Sequence, residues 1–130
     1  MGNKTVTRIF LAIAAVLGGT SVVLGAFASH ALKDRLSERA LEIWETGTKY
    51  QMYHAIALIL VALLLGRLAV DSIPLIIAGY AFIAGTMLFS GSLYALSLTG
   101  IKILGAVTPL GGVGFITGWI CLAIAALNLE

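Results

Sequence analysis

The sequence predicts an all-α membrane protein: four transmembrane helices in a compact bundle, with a short interfacial amphipathic helix between the first and second spans. Three observations lead there. The composition is 60% hydrophobic and 11% charged, with a mean hydropathy of +1.05; soluble domains carry about 25% charged residues. Residues 9–29, 72–101 and 103–129 each run twenty residues or more without a charged side chain, and residues 50–66 add seventeen between Lys49 and Arg67. A hydrocarbon core of ~30 Å is crossed by ~20 helical residues rising ~1.5 Å each. The remaining charge is gathered in residues 30–54, which hold four of the eight basic and four of the six acidic residues between the two histidines, His30 and His54. A barrel needs alternating polarity along each strand, and that pattern is absent from the sequence. Helices satisfy their backbone groups within each span, as hydrocarbon requires. Residues 1–130 read as a single membrane domain, with spans at about 6–29, 50–68, 73–98 and 104–128 and the interfacial helix at about 37–47.

Span one follows Lys4 and Arg8. Basic residues, an apolar run and Ala26-Phe27-Ala28 also fit a secretory signal, but the run is long for one and reads as a transmembrane helix. Ser21, Gly25 and Ser29 are spaced by four, a small-residue stripe that lets another helix approach closely. Residues 37–47 then read as an amphipathic helix. Ser37 is placed to cap it, Glu38 suits its positive end, and Leu36 can pack on Leu41. Ala40, Leu41, Trp44 and Thr48 share one face, so Leu41 and Trp44 are expected to anchor the helix in the membrane interface. Gly47 is expected to end or bend it.

Span two opens with Tyr50-Gln51-Met52-Tyr53-His54. An ionisable residue at the edge of a span is a functional candidate by default. A neutral histidine bonded to its neighbours is the structural reading of the same residues, and the one favoured here. Asp71 or Ser72 caps span three, with Pro74 in its first turn. Thr86, Ser90, Tyr94 and Ser97 then fall at helical spacing and form one polar face, suited to bonds between helices and, in a sharper reading, to a water-lined path. Gly79, Gly85 and Gly91 mark close contacts. Thr108-Pro109 either starts span four or places Pro109 as a kink in a longer helix from about Ile103. Gly114 and Gly118 form a G-x-x-x-G helix-contact motif. The single cysteine, Cys121, lies in an apolar run and reads as a packing residue. Lys33, Arg35, Arg39, Lys49 and Lys102 lie on the loop side, against Lys4, Arg8 and Arg67 on the terminal side. That count favours the loop side as cytoplasmic, while Lys4 and Arg8 ahead of the first span argue the other way.

Gly25-Ala26-Phe27-Ala28-Ser29-His30-Ala31-Leu32-Lys33, Tyr50-Gln51-Met52-Tyr53-His54-Ala55, Leu88-Phe89-Ser90-Gly91-Ser92-Leu93-Tyr94 and Leu104-Gly105-Ala106-Val107-Thr108-Pro109-Leu110-Gly111-Gly112 occur in this order. Together they resemble the family of small bacterial membrane proteins grouped as domain of unknown function 423, the YgdD/YwdK type. The likeness covers nearly the whole chain. That family usually shows Gly-Ala-His where this chain has Ala28-Ser29-His30, a small-for-small change. The resemblance implies a multi-pass protein of the bacterial cytoplasmic (inner) membrane, with a role in membrane integrity suggested for relatives. It brings no reaction, substrate or cofactor.

Three function classes follow. A structural or lipid-associated protein, with membrane lipids and a second copy of itself as candidate partners, is favoured. Its candidate polar cluster is His30, Tyr50, Gln51, Tyr53, His54, Ser90 and Tyr94. The alternative is a small oligomeric transporter or channel using the His54/Tyr50 and Ser90/Tyr94 faces; no acidic residue lies inside a span to drive it. A membrane enzyme is the weakest class. The two histidines with Glu42 or Glu45 match no metal-ligand spacing, so neither a metal nor a catalytic residue is assigned. No basic run suits nucleic acid.

Overall fold

The computed structural model describes residues 2–129; Met1 and Glu130 lie outside the described residues. The described chain is helical, with four helices long and apolar enough to cross a membrane: α1 (Gly2–Phe27), α2 (Glu38–Arg67), α3 (Ile73–Thr99) and α4 (Leu104–Leu127). A π-helical turn, Ala28–Leu32, extends α1. The main packing runs in chain order, α1 on α2, α2 on α3 and α3 on α4. The two middle helices are the more deeply buried, and α1 and α4 turn broad apolar faces outward.

Local chemistry sets the helix ends. Ser37 Oγ accepts a hydrogen bond from the Ala40 amide at 3.1 Å and caps α2. Ser72 does the same for α3 from the Leu75 amide, with Pro74 in the first turn. At the other end of α3, Gly100 adopts φ 70°, and its amide donates to the Leu96 carbonyl at 2.8 Å. Pro109 lies inside α4, which starts at Leu104. Thr108 does not cap a helix there; its hydroxyl meets Ser92 Oγ at 2.6 Å and ties α4 to α3.

The separate interfacial helix is corrected. Residues 38–67 form one continuous helix. Gly47 does not end it: a Cβ at this position would stand 2.7 Å from Tyr94 Cε1, so the glycine makes room for the tyrosine ring. Trp44, expected to anchor that helix at the interface, is 3% exposed. Its indole N–H donates to the Leu24 carbonyl at 2.9 Å, and its ring packs on Tyr94 with centroids 4.7 Å apart. Leu36 and Leu41 pack against the same small core of Ala28, Leu32 and Trp44.

Counting ~20 residues inward from the terminal side explains where the polar stretch goes. From Arg67 the count ends at Gly47, and from Asp71 at Gly91, beside Ser90. Ser90 donates to the Gly47 carbonyl at 2.7 Å, so the two counts end at the same level. From Asn128 the count ends at Thr108, which is bonded to Ser92. The charged start of α2 therefore stands beyond the hydrocarbon as a continuation of the helix. Trp44, buried between α1 and α3, should be shielded from both water and lipid, whereas Trp119 of α4 is 45% exposed. In a Trp119→Phe variant, the remaining Trp44 emission is expected to resist quenching by acrylamide and by brominated lipid. In Trp44→Phe, brominated lipid should quench Trp119 strongly. Equal quenching in the two variants would place Trp44 against lipid.

Candidate functional site

The polar residues of the middle helices divide around α2. Gln51 faces α1 and α3. Its amide nitrogen donates to the Leu17 carbonyl and to Thr20 Oγ1, both at 2.8 Å, and its oxygen accepts from the Tyr94 hydroxyl at 2.7 Å. One side chain thus links three helices. Around it, hydroxyls reach across to helix carbonyls: Ser21 to Thr48 at 2.7 Å, Ser90 to Gly47 at 2.7 Å and Ser97 to Ala40 at 2.6 Å. Ser90 and Ser97 are seven residues apart, as are Gly47 and Ala40, so the antiparallel pair of α2 and α3 repeats its contact after two turns.

His54 lies round the helix from Gln51, toward α3 and α4. Its ring stacks on Phe115 with centroids 3.5 Å apart and planes 6° from parallel. Nε2 accepts from the Trp119 indole N–H at 3.1 Å, and Nδ1 lies 2.7 Å from the Tyr50 carbonyl. The indole can only donate and the carbonyl can only accept, so both bonds form together in the tautomer with its proton on Nδ1. Phe82 completes the cluster, 5.4 Å from His54 and 5.1 Å from Trp119.

The residues singled out in the sequence therefore do not form one site. Gln51, Ser90 and Tyr94 meet on the α1 side of the bundle. Tyr50 and His54 are neighbours on the other side, where Tyr50 packs on Phe89 at 4.7 Å. Tyr53 is exposed and touches this group only through the Tyr50 ring, at 5.7 Å. His30 is exposed on the π turn. Sequence reasoning missed Trp119, Phe115 and Thr20. Phe115 and Trp119 sit four apart on α4, a spacing that puts both on one face.

Among the glycines, Gly85, Gly114 and Gly118 lie at helix contacts. A Cβ on Gly114 would sit 3.1 Å from the Gly85 Cα, and Gly85 and Gly118 face the rings of Phe115 and Phe82. Gly25 and Gly91 do not: a Cβ on either would meet nothing within 4 Å.

On the α1 side, Leu17, Leu24, Gln51, Thr86, Ser90 and Tyr94 contribute to a crevice of about 240 Å³. Thr86 is 2% exposed, and its Oγ1 has no hydrogen-bond partner.

Comparison with known proteins gives a family. Residues 24–112 match the family described as "Protein of unknown function (DUF423)". The chain is similar to the UPF0382 membrane protein YwdK of Bacillus subtilis (strain 168), 46% identical over 122 residues that cover 93% of this chain and 98% of the relative. It is similar to UPF0382 membrane proteins of Staphylococcus epidermidis and Staphylococcus aureus (strain bovine RF122), each 45% identical over 121 residues that cover 93% of this chain and 97% of the relative. No solved structure matches it. Four membrane-crossing helices and relatives named as membrane proteins over almost their whole length agree, and the chain belongs to the DUF423 family of membrane proteins.

Proposed function

We propose that the protein is a structural, lipid-associated component of the bacterial cytoplasmic membrane that supports membrane integrity. The observation that carries this reading is the way the polar side chains of the spans are used. Gln51 has both amide hydrogens and its oxygen engaged, His54 has both ring nitrogens engaged, and Ser21, Ser90 and Ser97 bond to carbonyls of α2. Groups tied to one another in this way hold helices together, because hydrocarbon offers them no other partner. A transport path needs polar groups left free to exchange partners with a passing ion or water. The broad apolar faces of α1 and α4 suit contact with lipid.

The test uses the full chain in sealed liposomes loaded with a pH-sensitive dye or with carboxyfluorescein. Proton and cation flux should equal that of empty liposomes, His54→Ala should change nothing, and dye leakage under osmotic stress should fall. A flux above background that disappears in His54→Ala would overturn the structural reading in favour of transport.

A further inference from the structure

The start of α1 and the end of α2 meet at the terminal edge of the bundle. Asn3 Nδ2 donates to the Leu68 carbonyl at 3.1 Å and ties the two together. Beside that bond lies a pocket of about 440 Å³, lined by Lys4, Thr7 and Arg8 of α1 and by Gly66, Leu68 and Ala69. Its volume falls within the ~300–1,000 Å³ of small-molecule sites. Arg8 also lines an open hollow that continues along α1 past Ile9 and Ala12.

Depth follows from the register of α1. Ser21 bonds the Thr48 carbonyl, next to Gly47 at the loop-side edge of the hydrocarbon. Counting ~20 residues back from Ser21 ends at Gly2, so Lys4 lies at the terminal-side edge. Arg8 lies about one turn deeper, ~6 Å, and the hollow past Ile9 and Ala12 runs deeper still. The pocket therefore stands at headgroup level and the hollow at chain level.

Charge decides what fits. Lys4 and Arg8 are four apart on one helix face, where like charges repel. Among the described residues no acidic side chain lines the pocket, and the only ion pair, Arg39–Glu42, belongs to the loop side. A cation at the hydrocarbon without a counter-charge is costly. An anion shared by the two side chains removes both costs, and a phosphate accepts strong bonds from lysine and arginine alike.

We propose that Lys4 and Arg8 hold the phosphate of an anionic glycerophospholipid in this pocket, with an acyl chain along Ile9 and Ala12. The site rests on the lipid-associated reading above and gives it a headgroup class and a leaflet, the one on the terminal side. Arg67 stands at the same edge but lines a different hollow, with Leu64 and Leu129, and so is the control for charge alone.

The test is native mass spectrometry of the full chain in a non-ionic detergent, titrated with phosphatidylglycerol, phosphatidylcholine, chain-free glycerophosphoglycerol or inorganic phosphate. One retained phosphatidylglycerol is expected, with weaker retention of phosphatidylcholine and none of the two soluble phosphates. Binding should fall about fivefold in Lys4→Gln and in Arg8→Gln, the ratio that ~1 kcal/mol per basic residue at an anionic surface corresponds to. Ala69→Glu, which sets a carboxylate in the exposed wall, should abolish it, and Arg67→Gln should leave it unchanged. An equal fall in Arg67→Gln, or none in Lys4→Gln and Arg8→Gln, would overturn the pocket and leave the lipid-associated reading standing. No lipid retained by the wild type would overturn both. Equal retention of phosphatidylcholine would overturn the anionic class. Displacement of phosphatidylglycerol by either soluble phosphate at equal concentration would overturn a lipid as the source of the phosphate.

Discussion

Gly111→Ala is expected to destabilise the protein by about 1–3 kcal/mol, the cost of forcing one extra carbon into a filled contact. A Cβ on Gly111 would collide with the backbone of Phe89, whose Cα would be 2.7 Å away. A side chain can turn aside by changing rotamer; a helix backbone can yield only by moving α3 away from α4. That movement would loosen Gly114 from Gly85, where a Cβ would already stand 3.1 Å from the Cα. It would also pull Phe115 from its stack on His54. Gly112 and Gly91 are the controls, because a Cβ on either meets nothing within 4 Å. Alanine there should be neutral or stabilising by up to ~1 kcal/mol through helix propensity. Unfolding in mixed micelles of rising SDS fraction, followed by circular dichroism, measures all three. Wild-type stability in Gly111→Ala would mean that α3 and α4 do not approach as described.

The same residues explain what the sequence could and could not reveal. The four spans were legible because hydrocarbon demands long uncharged runs, and Ser72 with Pro74 marks a helix start by local chemistry alone. The course of residues 37–49 was not. Read locally, Gly47 looks like a stop, since glycine costs about 1 kcal/mol in a helix interior. The Tyr94 ring that occupies its place comes from α3, 47 residues further on, and no local pattern reports it. The burial of Trp44 was hidden for the same reason: an indole suits an interface, and nothing local reports that this one bonds the Leu24 carbonyl of α1. The polar cluster was legible as residue types and not as geometry. Tyr50 and His54 are one turn apart, while Gln51 is rotated by about 100° to another neighbour. The role of Trp119 depends on a histidine 65 positions away, which leaves no periodic trace.

Gln51→Leu is the second large effect expected, because one side chain holds three helices. The substitution keeps most of the volume and removes three hydrogen bonds of 2.7–2.8 Å. Thr20 loses little, since its hydroxyl also donates to the Val16 carbonyl at 2.7 Å. The Tyr94 hydroxyl loses its acceptor. Bonds between membrane helices average ~0.6 kcal/mol and reach ~1.7, and an orphaned buried group costs ~1–3 kcal/mol. The expected loss is therefore about 2–3 kcal/mol, read in the same unfolding assay. Tyr94→Phe isolates the hydroxyl, because the ring stays in the space left by Gly47 and against Trp44. Combining the two variants closes a double-mutant cycle. The double variant is expected to cost less than the sum of the singles by about 0.6–1.7 kcal/mol, the range for one bond between helices. Strict additivity would mean that Gln51 and Tyr94 do not meet in the folded protein, and α1 would then have lost its indirect tie to α3 through α2.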